Sequence, residues 1–346
     1  VQTGTIQQDG GRSGRVSSIN DVAIDDATGD VYMVGIMNGP GGQSYSGPAY
    51  CNLYSAGSTT VFKSFVPVGG GDCVVAKLNS SGVYQWASNV SPTWSGATIA
   101  YSSTNGVIVT GYYTNTTISI YNSSGTLYGT LPAGNSGASD VYVVKYSAST
   151  GTVTGSLKLT SAAANQSYVP SSCALDSSGA YAYIASTYTG GSGTILSNVL
   201  LSSMTNTWNA TLYGSDPLAT TSVSQNPIVA FNSGNIYVTC PYSANNFTVT
   251  HSNGATFKTF TNTPSPYYGR YFYDTLLVKY SGSGTALWAS DIKGERDEFP
   301  IGLVAENSKV YLYMSYMSSR VQIDQNFPFY FTSDPVGDRS GGRLQS

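Results

Sequence analysis

Charged side chains are scarce in this chain of 346 residues, because Asp, Glu, Lys and Arg together make up 10% of it. An average soluble domain has roughly 25%. The formal net charge is −3, and the sequence has no long basic run. Nucleic-acid binding through phosphate contacts is therefore disfavoured, since it needs clustered Lys and Arg. No apolar stretch approaches the roughly 20 residues that a membrane-spanning helix requires.

Histidine is almost absent, with His251 as the single copy. Serine and cysteine hydrolases need a base beside the nucleophile. His251 lies in a Thr-rich insert, and the chain has no Gly-x-Ser-x-Gly motif. A surface-loop role is therefore favoured for His251. Gly69-Gly70-Gly71 is not a phosphate-binding loop, because neither Lys-Ser/Thr nor a helix pattern follows it.

Strong helix formers are also sparse, and Gly, Pro or Asn interrupts nearly every window of the sequence. Ser, Thr, Gly, Asn and Tyr take their place, with 28 Tyr in all. Strands favour Tyr because its ring packs on a pleated surface while its hydroxyl stays hydrated. The composition predicts an all-β fold.

A strand–turn–strand pattern recurs along the chain. Residues 72–78 (DCVVAKL) precede a turn and the strand 83–88 (VYQWAS), and residues 274–280 (DTLLVKY) precede a turn and the strand 286–290 (ALWAS). The first strand of four repeats has a small residue at one position, namely Ala23, Ala100, Ala174 and Ala230. Inner strands of a radial array converge on an axis, where large side chains would collide. The pattern therefore predicts a β-propeller rather than a sandwich.

The repeats define a single propeller domain over residues 1–346, with five blades of four antiparallel strands and hairpin insertions. The predicted blades are residues 18–91, 97–160, 170–214, 226–293 and 299–346, the last one closed by residues 1–8. Trp86, Trp208 and Trp288 occupy matching places on the fourth strands. We expect these indoles to lie between neighbouring blades.

The sequence pattern of the repeats resembles that of the SBBP repeat family, whose members are β-propellers of the extracellular or cell-surface type. The resemblance is close in 72–88 and 274–290, good in 139–146, where Asp140 and Lys145 recur, and weak in the third repeat. It implies the propeller fold. Members of the family share no single activity, so the resemblance implies no catalytic residue.

The fifth repeat is unfinished, because no Asp…Lys strand and no Trp strand follow Phe331. Residues 1–7 stand where a fourth strand belongs, and pairing them with the last blade is the simplest closure, since an open ring exposes sheet edges. Residues 343–345 would add its third strand. The alternative is that a neighbouring molecule donates the strand, which would give head-to-tail polymers.

The four cysteines, Cys51, Cys73, Cys173 and Cys240, do not have zinc-site spacing. Two disulfides, Cys51–Cys73 and Cys173–Cys240, are the preferred interpretation, and four buried free thiols are the alternative. The chain begins at Val1, which is consistent with removal of a signal peptide. Low charge, few Lys and abundant Ser, Thr and Asn together favour an extracellular or cell-surface location.

Asn-x-Ser/Thr sequons indicate a glycoprotein, although several sequons would arise by chance in a chain so rich in Asn, Ser and Thr. The glycosylation candidates are Asn79, Asn115, Asn122, Asn165, Asn209 and Asn246, and Asn89 is a further sequon. Asn79 and Asn122 each open an Asn-Ser-Ser-Gly turn. They are the favoured candidates because hairpin tips are exposed.

Two groups of carboxylates are candidates for chemistry. Asp291, Glu295, Asp297 and Glu298 surround Arg296 and include a possible glycosidase pair, although an acidic loop neutralised by Lys293 and Arg296 is favoured. Asp21, Asp25, Asp26 and Asp30 provide oxygen ligands for calcium, although turn formation is favoured. The sequence therefore predicts no catalytic residue, no metal site and no cofactor.

These features favour a secreted structural or adhesive glycoprotein rather than an enzyme, such as a subunit of an extracellular filament or surface coat. Its expected partners are other copies of itself or extracellular proteins and glycans, with neither nucleic acid nor membrane insertion. A carbohydrate-binding propeller with Tyr and Trp stacked on sugars is the alternative, and a glycoside hydrolase is less favoured.

Overall fold

The structure is a computed structural model. It describes residues 5–9, 18–37, 50–67, 71–93, 95–134, 138–160, 167–189, 193–214, 226–262, 271–307, 309–318, 321–323, 330–333 and 342–345. Every regular element in these ranges is a β-strand, as the composition predicts. In the same ranges, no helix is long and apolar enough to cross a membrane.

The chain divides into two compact units, which are described separately below. The first comprises residues 1–170 and 201–205, and the second comprises residues 171–200 and 206–346. The predicted single domain over residues 1–346 stays a prediction.

The first unit contains three antiparallel sheets. Its strands are β1 (Thr5–Asp9), β2 (Ser18–Asp25), β3 (Asp30–Met37), β4 (Tyr50–Tyr54), β5 (Val61–Phe65), β6 (Asp72–Leu78), β7 (Tyr84–Ser91), β8 (Ser95–Ser102), β9 (Gly106–Thr114), β10 (Ile118–Tyr121), β11 (Leu127–Leu131), β12 (Ser139–Tyr146) and β13 (Val153–Leu159). Sheet 1 has the order β1-β4-β5, sheet 2 the order β11-β10-β7-β6-β3-β2, and sheet 3 the order β13-β12-β9-β8.

The second unit contains three further sheets. The remaining strands are β14 (Ser167–Leu175), β15 (Tyr181–Thr189), β16 (Gly193–Leu200), β17 (Thr205–Gly214), β18 (Ile228–Asn232), β19 (Asn235–Tyr242), β20 (Asn246–Thr250), β21 (Thr256–Thr261), β22 (Asp274–Ser281), β23 (Ala286–Gly294), β24 (Glu298–Glu306), β25 (Lys309–Tyr316), β26 (Val321–Ile323), β27 (Tyr330–Ser333) and β28 (Gly342–Gln345). Sheet 4 has the order β14-β15-β16-β17-β20-β21, sheet 5 the order β18-β19-β22-β23-β26, and sheet 6 the order β24-β25-β28-β27.

Sheets 2 to 5 share one plan, in which four strands form an antiparallel meander. The first strand is always an end strand of its sheet, and the fourth strands are β7, β13, β17 and β23. Tight turns join the strands, as at Gly234, which has φ +78°, a conformation that favours glycine. This strand order is that of a propeller blade, and the protein is therefore all-β and propeller-like.

Inserted hairpins extend the fourth strands. Strand β10 comes between β9 and β12 in the chain but pairs with β7, and β20 comes between β19 and β22 but pairs with β17. Strand β26 pairs in the same way with β23. An insert between the second and third strands of one repeat thus adds to the fourth strand of another.

The N-terminal strand differs from its prediction, because residues 1–8 were expected to pair with the last sheet. Strand β1 instead pairs with β4, from Thr5 opposite Tyr54 to Asp9 opposite Tyr50. The reason is that β4 belongs to an inserted hairpin and takes a strand at its edge, as β10 and β20 do. In sheet 6, β28 lies beside β25, where a third strand was expected.

Alternating side chains make the cores between sheets. Tyr32, Val34, Cys73 and Val75 face a cluster that also contains Tyr142 and Val144 of sheet 3. Met33, Val74 and Ala76 lie on the other face of the same strands and pack with Leu53 of sheet 1. Both faces of β3 and β6 are buried because residues of sheet 3 cover one side of these strands and residues of sheet 1 cover the other.

The two predicted disulfides are not formed. Cys51 packs with Val74 and Ala76 on one face of β6, whereas Cys73 points to the opposite face and its cluster. Cys240 lies in the cluster against which Ala174 packs, and strand alternation directs the adjacent Cys173 away from that face. Cys51, Cys73 and Cys240 are buried free thiols. For these three residues the structure therefore agrees with the alternative prediction of buried free thiols.

Candidate functional site

Two of the three tryptophans that were predicted to lie between neighbouring blades, Trp86 and Trp208, donate hydrogen bonds across junctions between sheets. Trp86 of sheet 2 donates its Nε1–H to the Ala148 carbonyl of sheet 3 at 3.0 Å and stacks on Tyr146 with 6.1 Å between ring centroids. Trp208 of sheet 4 donates to the Gly282 carbonyl of sheet 5 at 3.2 Å. Their role is to join neighbouring sheets.

Each indole lies on a glycine of the turn between third and fourth strands. A Cβ atom added to Gly151 would lie 2.6 Å from Trp86 Cδ2, and one added to Gly284 would lie 2.9 Å from Trp208 Cδ2. In sheet 3 the arrangement is reversed. Gly155 lies opposite Lys145, as Trp86 lies opposite Lys77, and Met204 of a turn occupies the space above Gly155.

The tips of two inserted hairpins dock on the same turns. Ser123 N donates to the Gly151 carbonyl at 3.1 Å, and Ser252 N donates to the Gly284 carbonyl at 2.9 Å. Beside them, Asn122 Oδ1 accepts from Val153 N at 2.9 Å, and His251 Nδ1 accepts from Ala286 N at 3.0 Å. His251 thus occupies the place of Asn122, and its contacts are structural.

The repeated lysines are bound within the sheets. Lys77 forms an ion pair with Asp30 at 2.7 Å and its Nζ lies 5.4 Å from the centre of the Tyr32 ring. Lys279 has the same relation to Tyr237, at 5.6 Å. These cations stabilise the fold by pairing and cation–π contact.

The proposed calcium ligands form turns and a junction between sheets. Asp21 Oδ2 accepts from Thr98 Oγ1 at 2.7 Å and from Ile99 N at 2.9 Å. Asp25 Oδ2 accepts from Tyr101 Oη at 2.9 Å. In the described part of the chain, no group of three or more His, Cys, Asp or Glu is arranged to hold a metal ion.

Two carboxyl groups are buried where sheet 5 meets sheet 6. Asp274 is 2% exposed and Glu298 is 0% exposed. Asp274 Oδ1 accepts from Gly294 N at 3.3 Å, and Glu298 Oε1 accepts from Ser318 Oγ. Glu298 Oε2 has no hydrogen-bond partner among the described residues.

The environment favours the neutral form of both carboxyl groups. The pKa of Asp274 is raised to about 7, chiefly by burial and with smaller contributions from the carboxylates of Asp291 and Asp297, while the Gly294 N–H and Lys293 oppose the rise. Burial likewise raises the pKa of Glu298 to about 8, with a contribution from Asp274. Raised carboxyl pKa values occur at active sites, but these two side chains are closed to solvent.

A cavity of about 350 Å³ lies between hairpin β20–β21 and strands β23 and β26. Its lining residues are Thr259, Phe260, Thr261, Asp291, Lys293 and Gln322. Asp291 pairs with Lys293 at 2.8 Å and accepts from Tyr242 Oη at 3.1 Å. Among the described lining residues, Asp291 is therefore the one carboxylate, whereas a glycosidase needs a pair.

The other members of the acidic segment have backbone roles. Asp297 Oδ1 accepts from Tyr273 N at 3.0 Å, and Arg296 N donates to Ser318 Oγ at 2.8 Å. Glu295 is exposed. The structure thus pairs Asp291 with Lys293. Asp297 instead binds a backbone N–H, and Glu298 is buried against Ser318.

The sequon asparagines differ in whether the side-chain amide is hydrogen-bonded and in how exposed the residue is. Asn122 Nδ2 donates to Thr126 Oγ1 at 3.0 Å, and Asn79 Oδ1 accepts from Ser81 N and Val83 N. Asn115, Asn209 and Asn246 are exposed, and Asn89 is half-buried. Asn165, Gly69-Gly70 and the aromatic run up to Arg270 lie outside the described residues.

The junction contacts were visible in the sequence only in part. The tryptophans recur at matching positions of the repeats and can be recognised in the sequence. The contact between Gly155 and Met204 cannot, because neither residue recurs at the matching positions. The hairpins also repeat, as 62–65 (FKSF) and 257–260 (FKTF) show. Both lysines of this repeat have equivalent contacts, since Lys63 Nζ donates to the Ala87 carbonyl at 2.7 Å and Lys258 Nζ to the Ala289 carbonyl at 3.4 Å.

The sheets and their junctions define an all-β, propeller-like protein in which the repeat signature serves sheet-to-sheet packing. A solved structure described as the structure of the Dos1 propeller is similar over 95% of this chain and 92% of that chain, with 11% sequence identity and a TM-score of 0.31. No protein family matches the chain, and no curated protein matches it. The resemblance to the SBBP repeat family stays a prediction.

Proposed function

We propose that this chain is a secreted structural or adhesive β-propeller of five four-stranded blades, that it works through its surface, and that it is not an enzyme. The main support is the use of the conspicuous residues. Trp86, Trp208 and His251 all hold sheets together, and the most perturbed carboxyl groups, Asp274 and Glu298, are closed to solvent.

The proposal includes self-association into a filament or coat. Strand β1 is an end strand of its sheet, with β4 on one side and no second strand partner among the described strands. Such an edge presents backbone donors and acceptors that another strand can satisfy. A neighbouring copy is a suitable donor, which would give a head-to-tail contact at the edge of β1 rather than at the fifth blade.

Electron microscopy and light scattering of the native material test this function. We expect assemblies larger than one chain at the cell surface or in the medium, with glycan attached to at least one exposed sequon. A particle of one chain at every concentration, found inside cells and free of glycan, would contradict the proposal.

Carbohydrate binding is the second candidate, and the cavity beside Asp291 favours it. Phe260 provides an aromatic surface there, while Asp291, Gln322 and two threonines provide donors and acceptors, a combination that suits a sugar. Titration calorimetry against oligosaccharides tests this candidate. We expect Asp291→Ala to abolish any binding and Asp26→Ala, at an exposed site, to leave it unchanged.

A further inference from the structure

The outer edge of β13 differs from those of the other fourth strands. Strands β7, β17 and β23 each pair with an inserted strand, namely β10, β20 and β26. Strand β13 ends its sheet and has no second strand partner among the described strands. The chain supplies no hairpin at the corresponding place, because residues 190–192 alone separate β15 from β16.

Packing on the face of a fourth strand leaves its edge accessible. In sheet 5, Lys293 of β23 donates to the Thr261 carbonyl of hairpin β20–β21 at 2.8 Å. The same strand still pairs at its edge with β26, with Lys293 opposite Gln322. In sheet 3, Lys158 of β13 similarly reaches the Ala133 carbonyl after β11, at 3.1 Å. Among the described residues nothing pairs with the outer edge of β13, which can therefore pair as the edge of β23 does.

The edge lacks the usual protection against association. Residues 153–159 (VTGSLKL) contain no proline and a single charge, although proline and lysine are the common means of blocking an edge. The one charge is turned inward, because Lys158 Nζ forms an ion pair with Asp140 at 3.0 Å. A strand of seven residues therefore remains open to pairing.

We infer that β13 pairs with β13 of a second copy of this chain, in antiparallel orientation across a two-fold axis. Directly opposite residues of antiparallel strands lie on the same face of the sheet. A pair centred on Ser156 would place Thr154 opposite Lys158 and Val153 opposite Leu159. Polar residues then meet polar ones, apolar residues meet apolar ones, and the two lysines do not oppose each other.

Closed two-fold pairing suits this edge, since it removes both open edges in one contact. The inference rests on the proposed function in that it names one surface for self-association. It differs from the head-to-tail contact through β1 in the strand and in the symmetry.

The first test is light scattering of T154K/S156K, which places two more cations on each edge. The cation at position 156 would face its own copy across the axis, and the cation at position 154 would face Lys158 of the second copy. Thr154 is exposed and Ser156 half-buried, so the fold should persist with an unchanged melting temperature and circular dichroism spectrum. We expect the mass at a given concentration to fall by half. The control is Gln85→Lys, at the place in β7 that corresponds to Thr154, which should leave the mass unchanged.

The second test is cross-linking by mild oxidation, with single cysteines placed along 153–159 in a Cys173→Ser background. We expect a disulfide-linked dimer at Ser156→Cys or an adjacent position of the same face, and none for Gln85→Cys. No cross-link at any position of β13, or an unchanged mass for a folded T154K/S156K, would overturn the inference.

The two proposals fail separately. Filaments without β13 cross-links would refute the β13 contact and leave the structural function intact. Dimers that cross-link through β13 and form no longer assembly would support the β13 contact and refute the filament. A monomeric wild-type chain at every attainable concentration would overturn both.

Discussion

Trp86 lies on Gly151, so that a single added carbon atom on the glycine would lie 2.6 Å from the indole Cδ2 atom. The corresponding pair in the next junction is reversed, with Gly155 on the strand and Met204 on the turn, where a Cβ on Gly155 would lie 2.5 Å from Met204 Cγ. In both junctions, a large side chain thus packs against a glycine, which has no side chain of its own. The large side chain belongs to the strand in one junction and to the turn in the other.

Gly151→Ala should destabilise the first unit. Gly151 has φ +66°, where a Cβ costs roughly 1–2 kcal/mol, and contact with the indole adds overpacking of roughly 1–3 kcal/mol. Chemical denaturation measures the sum. Gly125→Ala is the matched control, because Gly125 has φ +86° but no atom within 4 Å of an added Cβ. An equal loss in both variants would show that the indole contact contributes nothing.

Gly155→Trp should be strongly destabilising alone and partly rescued by Met204→Gly. The added indole needs the space that Met204 fills, and Met204 itself has φ +51°, so that glycine removes strain there. A double-mutant cycle should give a coupling of about 1–3 kcal/mol. Additive changes would show that the two residues do not share one space.

His251→Asn should preserve stability better than His251→Ala. Ala286 N is buried and donates to His251 Nδ1, and loss of this acceptor costs roughly 1–3 kcal/mol. An Asn side chain accepts the equivalent bond at Asn122. Thermal unfolding of the two variants measures the difference. Equal melting temperatures would contradict a structural role of the imidazole acceptor.

Stability should fall as the pH rises from about 4 to about 8. The pKa of Asp274 is raised from 3.8 to about 7 and that of Glu298 from 4.5 to about 8. The folded state therefore binds more protons than the unfolded state in this interval, which makes stability decrease with pH. The contribution is complete below pH 4 and is lost by about pH 8. Melting temperatures across this range measure the slope.

Glu298→Gln should reduce that slope, because an amide does not ionise. The variant should match the wild type at pH 4 and melt higher at pH 8. Glu306→Gln, at an exposed position, should leave the slope as it is. A wild-type curve that rises over this interval would contradict the assigned pKa directions.

The buried thiols should be unreactive in the folded protein. Burial raises the pKa of Cys51 to about 11 and the pKa of both Cys73 and Cys240 to about 12, and the thiolate is the reactive form. Thiol labelling at pH 8 should modify none of these three before denaturation and all of them after it. A disulfide found by mass spectrometry would contradict the assignment.

The strand pattern was predictable where residues alternate or repeat. The third and fourth strands of sheets 2 and 5 follow from 72–88 and 274–290, because the period of a strand is local and appears directly in the letters. The inserted hairpins were also visible as 117–128. Their partners were not, because β10 pairs with a strand of another repeat. Pairing between strands that are distant in the chain cannot be recognised from the local sequence of either strand.

The sequence alone determined the all-β class, since scarce helix formers, many Tyr and recurring turns act within a few residues. Only the tertiary structure decided that Cys51 and Cys73 lie on opposite faces of β6, that β1 pairs with β4 and that Met204 fills the space above Gly155. Each of these depends on which faces and edges meet in space. Distant residues meet through packing, and side-chain volume can be supplied from either partner.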